Sequence, residues 1–208
     1  MNATSKLFVI SAPSGAGKTT LVKSLIKGNE NIKCSISYTT RASRINENEG
    51  EDYFFVSKHE FMKLKNDNKF IEHAKVFNNF YATSREEIEK ILCHGAHAIL
   101  EIDWQGARQV RQSIPECVSI FILPPSKDEL QKRLINRATD DAKTIELRIK
   151  EANHDMLQWS DFDYCIINDD LETAIKELES IVMSENEANS TKNLKLIEKI
   201  NEILYVNN

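Results

Sequence analysis

No run of apolar residues in this chain approaches the roughly 20 that a membrane-spanning helix needs, so the sequence predicts no membrane segment. The first residues carry one lysine and lead directly into a short apolar run, which is not typical of a signal peptide. The chain also lacks internal repeats and low-complexity tracts. These absences leave a globular domain as the expected class.

Cysteine is scarce and scattered. The four cysteines, Cys34, Cys93, Cys117 and Cys165, are far apart along the chain, and they form neither a metal-ligand pair nor a redox motif. We therefore expect free, buried thiols in a reducing cytosol.

An excess of positive charge is also absent. The chain has 27 Lys and Arg against 32 Asp and Glu, so its formal net charge is −5. A weakly acidic chain is a poor candidate for nonspecific binding to nucleic acid or a membrane surface, and any anionic ligand needs a local basic site. Hydrophobic residues make up 41% and charged residues 28%, which excludes a disordered chain. The length of 208 residues predicts one domain, or one domain with an appendage.

Short apolar runs alternate with helical patterns along much of the chain. Such runs are typical of buried parallel strands, and serines followed three residues later by glutamate mark helix starts between them. The alternation predicts an α/β fold in which helices flank a parallel sheet. The predicted strands are Leu7–Ile10, Ala96–Ile102, Val118–Leu123 and Cys165–Ile167, and the predicted helix starts follow Ser57, Ser84 and Ser126.

The strongest motif is Ser-Ala-Pro-Ser-Gly-Ala-Gly-Lys-Thr-Thr at residues 11–20, between a predicted strand and a predicted helix. Gly15 and Gly17 allow backbone N–H groups to wrap around phosphate oxygens. Lys18 can reach the β- and γ-phosphates, and Thr19 can ligate Mg²⁺. Ala12 stands where the pattern has its first glycine, but that position needs only an ordinary backbone conformation. The motif predicts a P-loop NTPase-type core whose phosphate loop comprises Ala12, Pro13, Ser14, Gly15, Ala16, Gly17, Lys18 and Thr19.

Two segments depart from the alternation of strands and helices. Residues 33–84 are rich in Thr, Tyr, Phe and Arg, which predicts a small mixed α/β insertion that is partly antiparallel. Residues 136–148 are polar and charged, a pattern that we interpret as a mobile lid. Residues 1–32, 85–135 and 149–208 are predicted to form the core domain. A last amphipathic helix at about 190–206 either packs on the core or joins two chains in a homodimer, and packing is favoured.

Charged side chains beyond the phosphate loop indicate further binding sites. Arg41 and Arg44, with tyrosine hydroxyls in the same segment, are suitable donors for a second phosphate. Glu101 and Asp103 end an apolar strand, at the edge where α/β sheets bind ligands. A cation, a purine N–H group or an arginine would satisfy these two carboxylates. Arginines in or beside the predicted lid suit stabilisation of a moving phosphoryl group, and these are Arg133, Arg137 and Arg148.

Seven short motifs, taken together and in order, resemble those of the guanylate kinases, the nucleoside monophosphate kinases that act on GMP. The resemblance extends over roughly residues 5–183. The motifs are Ala-Pro-Ser-Gly-Ala-Gly-Lys at 12–18, Ser-Tyr-Thr-Thr-Arg at 37–41, Asp-Tyr-Phe-Phe-Val at 52–56, Phe-Ile-Glu-His-Ala at 70–74, Ile-Asp-Trp-Gln-Gly at 102–106, Leu-Pro-Pro-Ser at 123–126 and Ile-Asn-Asp-Asp at 167–170.

The resemblance implies a cytoplasmic enzyme of purine nucleotide metabolism that transfers a phosphoryl group from ATP to GMP with Mg²⁺, giving ADP and GDP. It implies a GMP-binding region at 33–84 and a lid at 136–148. The implied catalytic residues are Lys18, Arg133, Arg137 and Arg148. Asn168 joins the phosphate loop as an implied ATP-binding residue near the adenine, and Thr19 and Asp103 are the implied metal ligands.

The resemblance also implies how GMP is held. The implied GMP-binding residues are Ser37, Arg41, Arg44, Glu47, Tyr53, Glu72, Tyr81, Thr83 and Glu101. Of these, Ser37, Glu72 and Thr83 would face the guanine, and Arg41, Arg44, Tyr53 and Tyr81 would hold the phosphate. The chemistry agrees, because guanine offers N1–H and N2–H₂ donors to a carboxylate and an O6 acceptor to a hydroxyl group.

The chain departs from the family pattern at a few positions. Glu101 stands where the family usually has Asp, and Ala82 and Ala138 stand where it usually has Gly. Arg44 is followed by Ile-Asn rather than Pro-Gly.

Two other functions stay open on the sequence alone. One is a P-loop kinase that acts on AMP or a sugar phosphate, which Ser37 and Glu72 disfavour. The other is a peptide-binding module of guanylate kinase-like fold, which would not need Lys18, Thr19 or the lid arginines. Neither nucleic acid nor a membrane is an expected partner.

Overall fold

The computed structural model describes residues 5–45, 47–76, 78–135, 142–184 and 186–205. The strands are β1 (Leu7–Ser11), β2 (Ile32–Cys34), β3 (Ser37–Thr39), β4 (Tyr53–Phe55), β5 (Phe70–Val76), β6 (Asn79–Ser84), β7 (His97–Glu101), β8 (Val118–Leu123) and β9 (Tyr164–Ile167). The α-helices are α1 (Lys18–Gly28), α2 (Lys58–Asn66), α3 (Arg85–Cys93), α4 (Trp104–Ser113), α5 (Lys127–Ile135), α6 (Ala142–Met156), α7 (Leu171–Ser184) and α8 (Leu194–Tyr205).

The strands form two sheets, and the predicted α/β fold is confirmed. The larger sheet has the strand order β2-β7-β1-β8-β9, and its pairs β2–β7 and β8–β9 are parallel. The smaller sheet has the order β4-β3-β6-β5, in which β3 is parallel to β4 and antiparallel to β6, and β6 is antiparallel to β5. The four strands predicted from apolar runs are β1, β7, β8 and β9, and their central residues are buried.

Three of the helices begin at a serine whose side chain accepts a hydrogen bond from a backbone N–H group of the first turn. Ser57 Oγ accepts from the Glu60 N–H at 3.1 Å and caps α2. Ser84 caps α3 and Ser126 precedes α5 in the same way, each accepting from the residue three positions later. The N-terminal half of each predicted capping pattern is therefore present, and these bonds satisfy N–H groups that have no partner inside the helix.

The chain divides into two structural units. The first contains the chain up to Val9 together with Glu30–Val118, and it includes the whole smaller sheet with α2, α3 and α4. The second contains Ile10–Asn29 and the chain from Ser119 onward, and it includes α1 and α5 to α8.

Aromatic side chains form the core beneath the smaller sheet in the first unit. Phe61 of α2 lies with its ring 5.0 Å from that of Phe70 on β5 and 5.4 Å from that of Phe80 on β6. Ala82 and Tyr38 also belong to this cluster. The contacts join one helix to both strands of the β5–β6 hairpin, and aromatic pairs of this kind add to the free energy of burial.

The apolar face of the last helix is buried in the second unit. Leu196, Ile200 and Leu204 of α8 are all less than 10% exposed. Lys127 at the start of α5 donates a hydrogen bond from Nζ to the carbonyl oxygen of Leu204. The helix therefore packs within its own unit, which is the arrangement that the sequence favoured.

The predicted division into core, GMP-binding region and lid stays a prediction. The smaller sheet lies entirely within residues 33–84, but β2 belongs to the larger sheet, so the predicted boundary at residue 33 falls inside that strand. Of the predicted lid, residues 142–148 are helical, as part of α6, and Arg137 and Ala138 lie outside the described residues. No helix in the described ranges is both long and apolar enough to cross a bilayer.

Candidate functional site

The phosphate loop connects β1 to α1 in the second unit. Gly15 and Gly17 have φ angles of +92° and +95°, a conformation that other residues rarely adopt. Gly17 is the N-cap residue of α1, and because it has no side chain it caps no N–H group of that helix. The first turn of α1 therefore presents N–H donors and the positive end of the helix dipole, an arrangement that suits a phosphate.

Ala12 does not disturb this loop. Apart from glycine, only Asn68 and Asn78 among the described residues have a positive φ angle. The backbone at Ala12 thus has an ordinary conformation, which is why alanine is accepted where the pattern has glycine. Lys18 and Thr19 follow at the first turn of α1, where Lys18 is half-buried and Thr19 is exposed.

Asn168 holds the phosphate loop from the end of β9. Its side chain is buried, with 5% exposed, and Nδ2 donates a 2.7 Å hydrogen bond to the carbonyl oxygen of Ala16. A Cβ atom at Gly17 would overlap that same Nδ2 atom, so Gly17 is required by its contact as well as by its φ angle. The resemblance placed Asn168 near the adenine, and that role stays a prediction. Its bond to the loop was not predicted from the sequence.

Arg133 lies beside this connection. Its Nε donates to Glu129 Oε1 at 3.0 Å, and its Nη2 donates to the carbonyl oxygen of Asn168 at 3.4 Å. Arg148 is half-buried on α6. The structure thus brings Arg133 to the residue that holds the phosphate loop, whereas the third predicted arginine, Arg137, lies outside the described residues.

A buried carboxylate marks the smaller sheet of the first unit. Glu72 on β5 is 3% exposed, and its Oε1 accepts a 2.7 Å hydrogen bond from the hydroxyl group of Thr83 on β6, which is fully buried. The two residues face each other in the antiparallel register of β5 and β6. The predicted pair is therefore brought together, although a strand pattern alone could not show which residues pair.

Arg41 and Glu47 form an ion pair elsewhere in this unit. Arg41 Nη2 lies 2.9 Å from Glu47 Oε1, and the N–H of Arg44 donates to Glu47 Oε2 at 2.8 Å. Burial acts to raise the pKa of Glu47, but the bonds from Arg41 and Arg44 outweigh it and lower that pKa. Glu47 therefore stays ionised, and it holds the Arg41 side chain and the backbone N–H of Arg44.

Two tyrosines complete the cluster around Arg41. The guanidinium carbon of Arg41 lies 5.4 Å from the centre of the Tyr53 ring, and the Tyr53 and Tyr81 rings are 6.1 Å apart. Burial, with the neighbouring Tyr81 and the Glu101 carboxylate, raises the pKa of Tyr53 to about 12. Tyr53 is therefore a neutral hydroxyl donor at any physiological pH. Ser37 lies opposite Tyr53 in the register of β3 and β4.

The two carboxylates at the end of β7 have different surroundings. Glu101 is the last residue of the strand, whereas Asp103 is the N-cap residue of α4 and accepts a 2.8 Å bond from the Gly106 N–H. Gln105 also donates to Asp103, at 3.3 Å. Asp is a preferred N-cap residue, so Asp103, which the sequence predicts as a ligand, also caps α4. Within the described ranges, no group of three or more His, Cys, Asp or Glu side chains could hold a metal ion.

Comparisons with known proteins agree on one family. The model of the guanylate kinase family matches residues 4–185. A guanylate kinase of Saccharophagus degradans is 46% identical over 203 residues, which cover 96% of this chain and 99% of that protein. A guanylate kinase of Buchnera aphidicola is 50% identical over 182 residues, covering 86% of this chain and 88% of its own.

A solved structure extends the likeness to three dimensions. The crystal structure of guanylate kinase from Anaplasma phagocytophilum superposes with a TM-score of 0.74 at 33% identity, covering 98% of this chain and 97% of that one. Because the family model covers most of the sequence and the relatives match nearly their full length, the chain belongs to the guanylate kinase family.

Proposed function

We propose that this protein is a nucleoside monophosphate kinase that transfers the γ-phosphoryl group of ATP to GMP, giving ADP and GDP. Membership of the family supports the reaction. The observation that supports GMP as the acceptor is the buried, paired carboxylate of Glu72. Burying a carboxylate is costly unless donors satisfy it, and Thr83 supplies one of them. Guanine presents N1–H and N2–H₂, two adjacent donors that a carboxylate can accept.

The phosphate loop is the ATP subsite in this proposal. Backbone N–H groups of the loop and of the first turn of α1 hold the phosphate oxygens, and Lys18 neutralises charge on the β- and γ-phosphates. The bond from Asn168 to Ala16 keeps the loop in this shape. The Asn168 amide would also lie near the adenine.

Four residues around Arg41 are the proposed subsite for the GMP phosphate. Arg41 and Arg44 supply charge-assisted donors, and Tyr53 and Tyr81 supply hydroxyl groups. Ser37 and Thr83 would contact the guanine, and Glu101 would contact the nucleoside. Glu47, the remaining residue proposed for the GMP site, would act there by holding the Arg41 side chain and the Arg44 backbone.

The transferred phosphoryl group needs positive charge along its path, because negative charge is spread over its oxygens in the transition state. Arg133, Arg137 and Arg148 are the proposed source. Arg133 is held by Glu129 and Asn168, so part of its orientation is fixed before substrate binds. Fixed donors of this kind need no reorganisation during the reaction.

Magnesium would accompany ATP and would supply further positive charge at the phosphate oxygens. Thr19 and Asp103 offer the hard oxygen ligands that this ion prefers. Thr19 lies in the exposed first turn of α1, and Asp103 accepts bonds from Gly106 and Gln105 at the start of α4.

The proposal places the reaction in the cytoplasm and includes neither nucleic acid nor a membrane as a partner. The four cysteines are free thiols, which suits a reducing compartment. Cys117 and Cys165 are buried, but the expectation of buried thiols is wrong for Cys93, which is exposed, and for Cys34, which is half-buried. A homodimer formed through α8 has little support, because the apolar face of that helix is buried within its own unit.

The test is an acceptor screen. Purified protein with ATP and Mg²⁺ is given GMP, AMP or a sugar phosphate in turn, and ADP and the phosphorylated product are both measured. We expect GDP from GMP and little product from the other acceptors. Product from AMP at a comparable rate would contradict the proposal, and so would the absence of any turnover.

A further inference from the structure

The helix α4 lies against the strand that carries Glu72, and it meets that strand in two ways. β5 is the edge strand of the smaller sheet, with β6 as its neighbour. An edge strand leaves outward N–H and C=O groups without a strand partner. At His73 both groups are bound by one side chain of α4: the His73 N–H donates to Gln109 Oε1 at 3.2 Å, and Gln109 Nε2 donates to the His73 carbonyl oxygen at 2.8 Å.

This pair of bonds acts directly on the backbone of Glu72. The His73 N–H belongs to the peptide group that joins Glu72 to His73, so Gln109 holds the peptide plane next to the Glu72 Cα atom. Among uncharged side chains, only a carboxamide presents a donor and an acceptor side by side in this way, which matches the two groups of an extended backbone.

Gly106 is the second contact, one turn earlier on the same helix. A Cβ atom at this position would overlap Glu72 Oε2 and would lie 3.0 Å from Glu72 Cδ. Glycine is normally unfavourable inside a helix, so its presence here needs a reason other than helix stability. On this surface of α4, glycine leaves the space that the Glu72 carboxylate occupies.

We propose that Gly106 and Gln109 are positioning residues that set where the Glu72 carboxylate lies, and that through it they determine the purine specificity of the acceptor site. The inference rests on the proposed function, in which Glu72 binds the N1–H and N2–H₂ groups of guanine. Thr83 holds one carboxylate oxygen from β6, while α4 provides space for the other and fixes the adjoining backbone. A carboxylate that moves sideways loses one of two parallel bonds to guanine.

The test compares GMP with IMP, which keeps N1–H but lacks the 2-amino group. The variants are Gly106→Ala and Gln109→Leu, with Gln112→Leu as a matched control, because Gln112 lies exposed on the same helix. For each variant we measure kcat/KM with GMP and with IMP, the KM for ATP, and the melting temperature.

We expect both variants to raise the KM for GMP by about tenfold, the worth of a weakened charged hydrogen bond, and to reduce the preference for GMP over IMP. The KM for ATP should change less than about twofold, since the ATP subsite is not touched. Gln112→Leu should leave the GMP/IMP ratio unchanged. If Gly106 and Gln109 had only a structural role, their substitution would lower the melting temperature and leave the GMP/IMP ratio unchanged.

Gly106→Ala keeps the inference testable if Gln109→Leu does not fold, because alanine otherwise favours a helix. An unchanged GMP/IMP ratio in a folded Gly106→Ala protein would overturn the inference. The GMP/IMP ratio of Glu72→Gln distinguishes an error in the positioning role from an error in the proposed function. If Glu72→Gln abolishes the preference for GMP and the α4 variants do not, only the positioning role is wrong. If Glu72→Gln also leaves the preference intact, the purine-reading role of Glu72 is wrong, and the positioning role falls with it.

Discussion

The side-chain amide of Asn168 and the carbonyl oxygen of Ala16 are joined by a 2.7 Å hydrogen bond, although 152 positions separate the two residues in sequence. The bond connects the end of β9 to the middle of the phosphate loop. Because only the NH₂ group can donate to a carbonyl oxygen, the bond also fixes which way the amide faces. The shape of the loop thus depends on a residue far from its own motif.

Asn168→Asp should damage the ATP subsite through this contact. The substitution keeps the side-chain volume but turns a carboxylate oxygen toward the Ala16 carbonyl, so a bond is replaced by repulsion in a buried place. We expect kcat/KM for ATP to fall by about 5- to 150-fold, from a cost of about 1–3 kcal/mol. Steady-state kinetics measures this, with Asn153→Asp as control, because Asn153 is exposed on α6. Equal effects of the two variants would argue against a role for the Asn168 bond.

Lys18→Ala should nearly abolish turnover and leave the fold intact. The lysine carries the charge that faces the β- and γ-phosphates, and groups of this kind contribute roughly 10²–10³ in rate. Lys27→Ala is the matched control, since Lys27 lies exposed in the last turn of the same helix. Circular dichroism of both variants checks the fold. Near-normal turnover of a folded Lys18→Ala protein would refute the assignment of the phosphate loop.

Glu47→Gln should raise the KM for GMP without changing that for ATP. Arg41 and Glu47 are mostly buried, at 17% and 15% side-chain exposure, so their ion pair is only partly screened by solvent. Without the negative charge Arg41 is less firmly oriented, and we expect about a tenfold rise in the KM for GMP. Glu89→Gln, exposed on α3, is the control. A combined Arg41→Ala and Glu47→Gln variant should be little worse than Arg41→Ala alone, whereas additive losses would show that Glu47 acts independently.

The stability of the protein should fall in mild acid partly because of His97. The backbone N–H of Lys6 donates to Nδ1 of His97 at 3.0 Å, which requires that nitrogen to be unprotonated. Burial and the charge of Lys6 lower the pKa of His97 below its ordinary value of 6.5. The unfolded chain therefore binds the proton more readily, so this contribution is complete above pH 6.5 and is lost as the pH falls through the lower pKa of the folded state.

Urea unfolding between pH 7.5 and pH 5 would measure this effect. His97→Asn keeps an acceptor for the Lys6 N–H but does not titrate, so its free energy of unfolding should fall less steeply than that of the parent. The difference should be small, because the ring is partly exposed and solvent screens its charge. Identical slopes for the two proteins would exclude His97 as a source of the pH dependence.

Much of the fold could be predicted because its signals are local. The apolar runs that became β1, β7, β8 and β9 are contiguous, and the serine caps of α2, α3 and α5 depend on residues only three positions apart. The strand β2 was missed because three residues with one buried side chain give no periodic pattern. Its position in the sheet comes from pairing with β7, more than sixty residues away.

The contacts of the candidate site were less predictable, because most of them join residues that are far apart in sequence. Gly15, Gly17 and Lys18 form a motif that can be recognised from spacing. The bonds of Asn168 to Ala16 and of Gln109 to His73 join distant segments, and no local pattern carries them. The resemblance to a family supplied residues such as Glu72, but their partners depend on the strand register and on the packing of α4.

The central claim, that the buried carboxylate of Glu72 reads the guanine of the acceptor, is tested most directly by comparing GMP and AMP as acceptors for the parent and for Glu72→Gln. Glutamine has one acceptor oxygen and turns an NH₂ donor toward the donors of guanine. We expect kcat/KM for GMP to fall at least about thirtyfold, which corresponds to about 2 kcal/mol, while the KM for ATP hardly changes. The parent should use AMP poorly. Unchanged GMP turnover by Glu72→Gln, or a parent that phosphorylates AMP as well as GMP, would contradict the account.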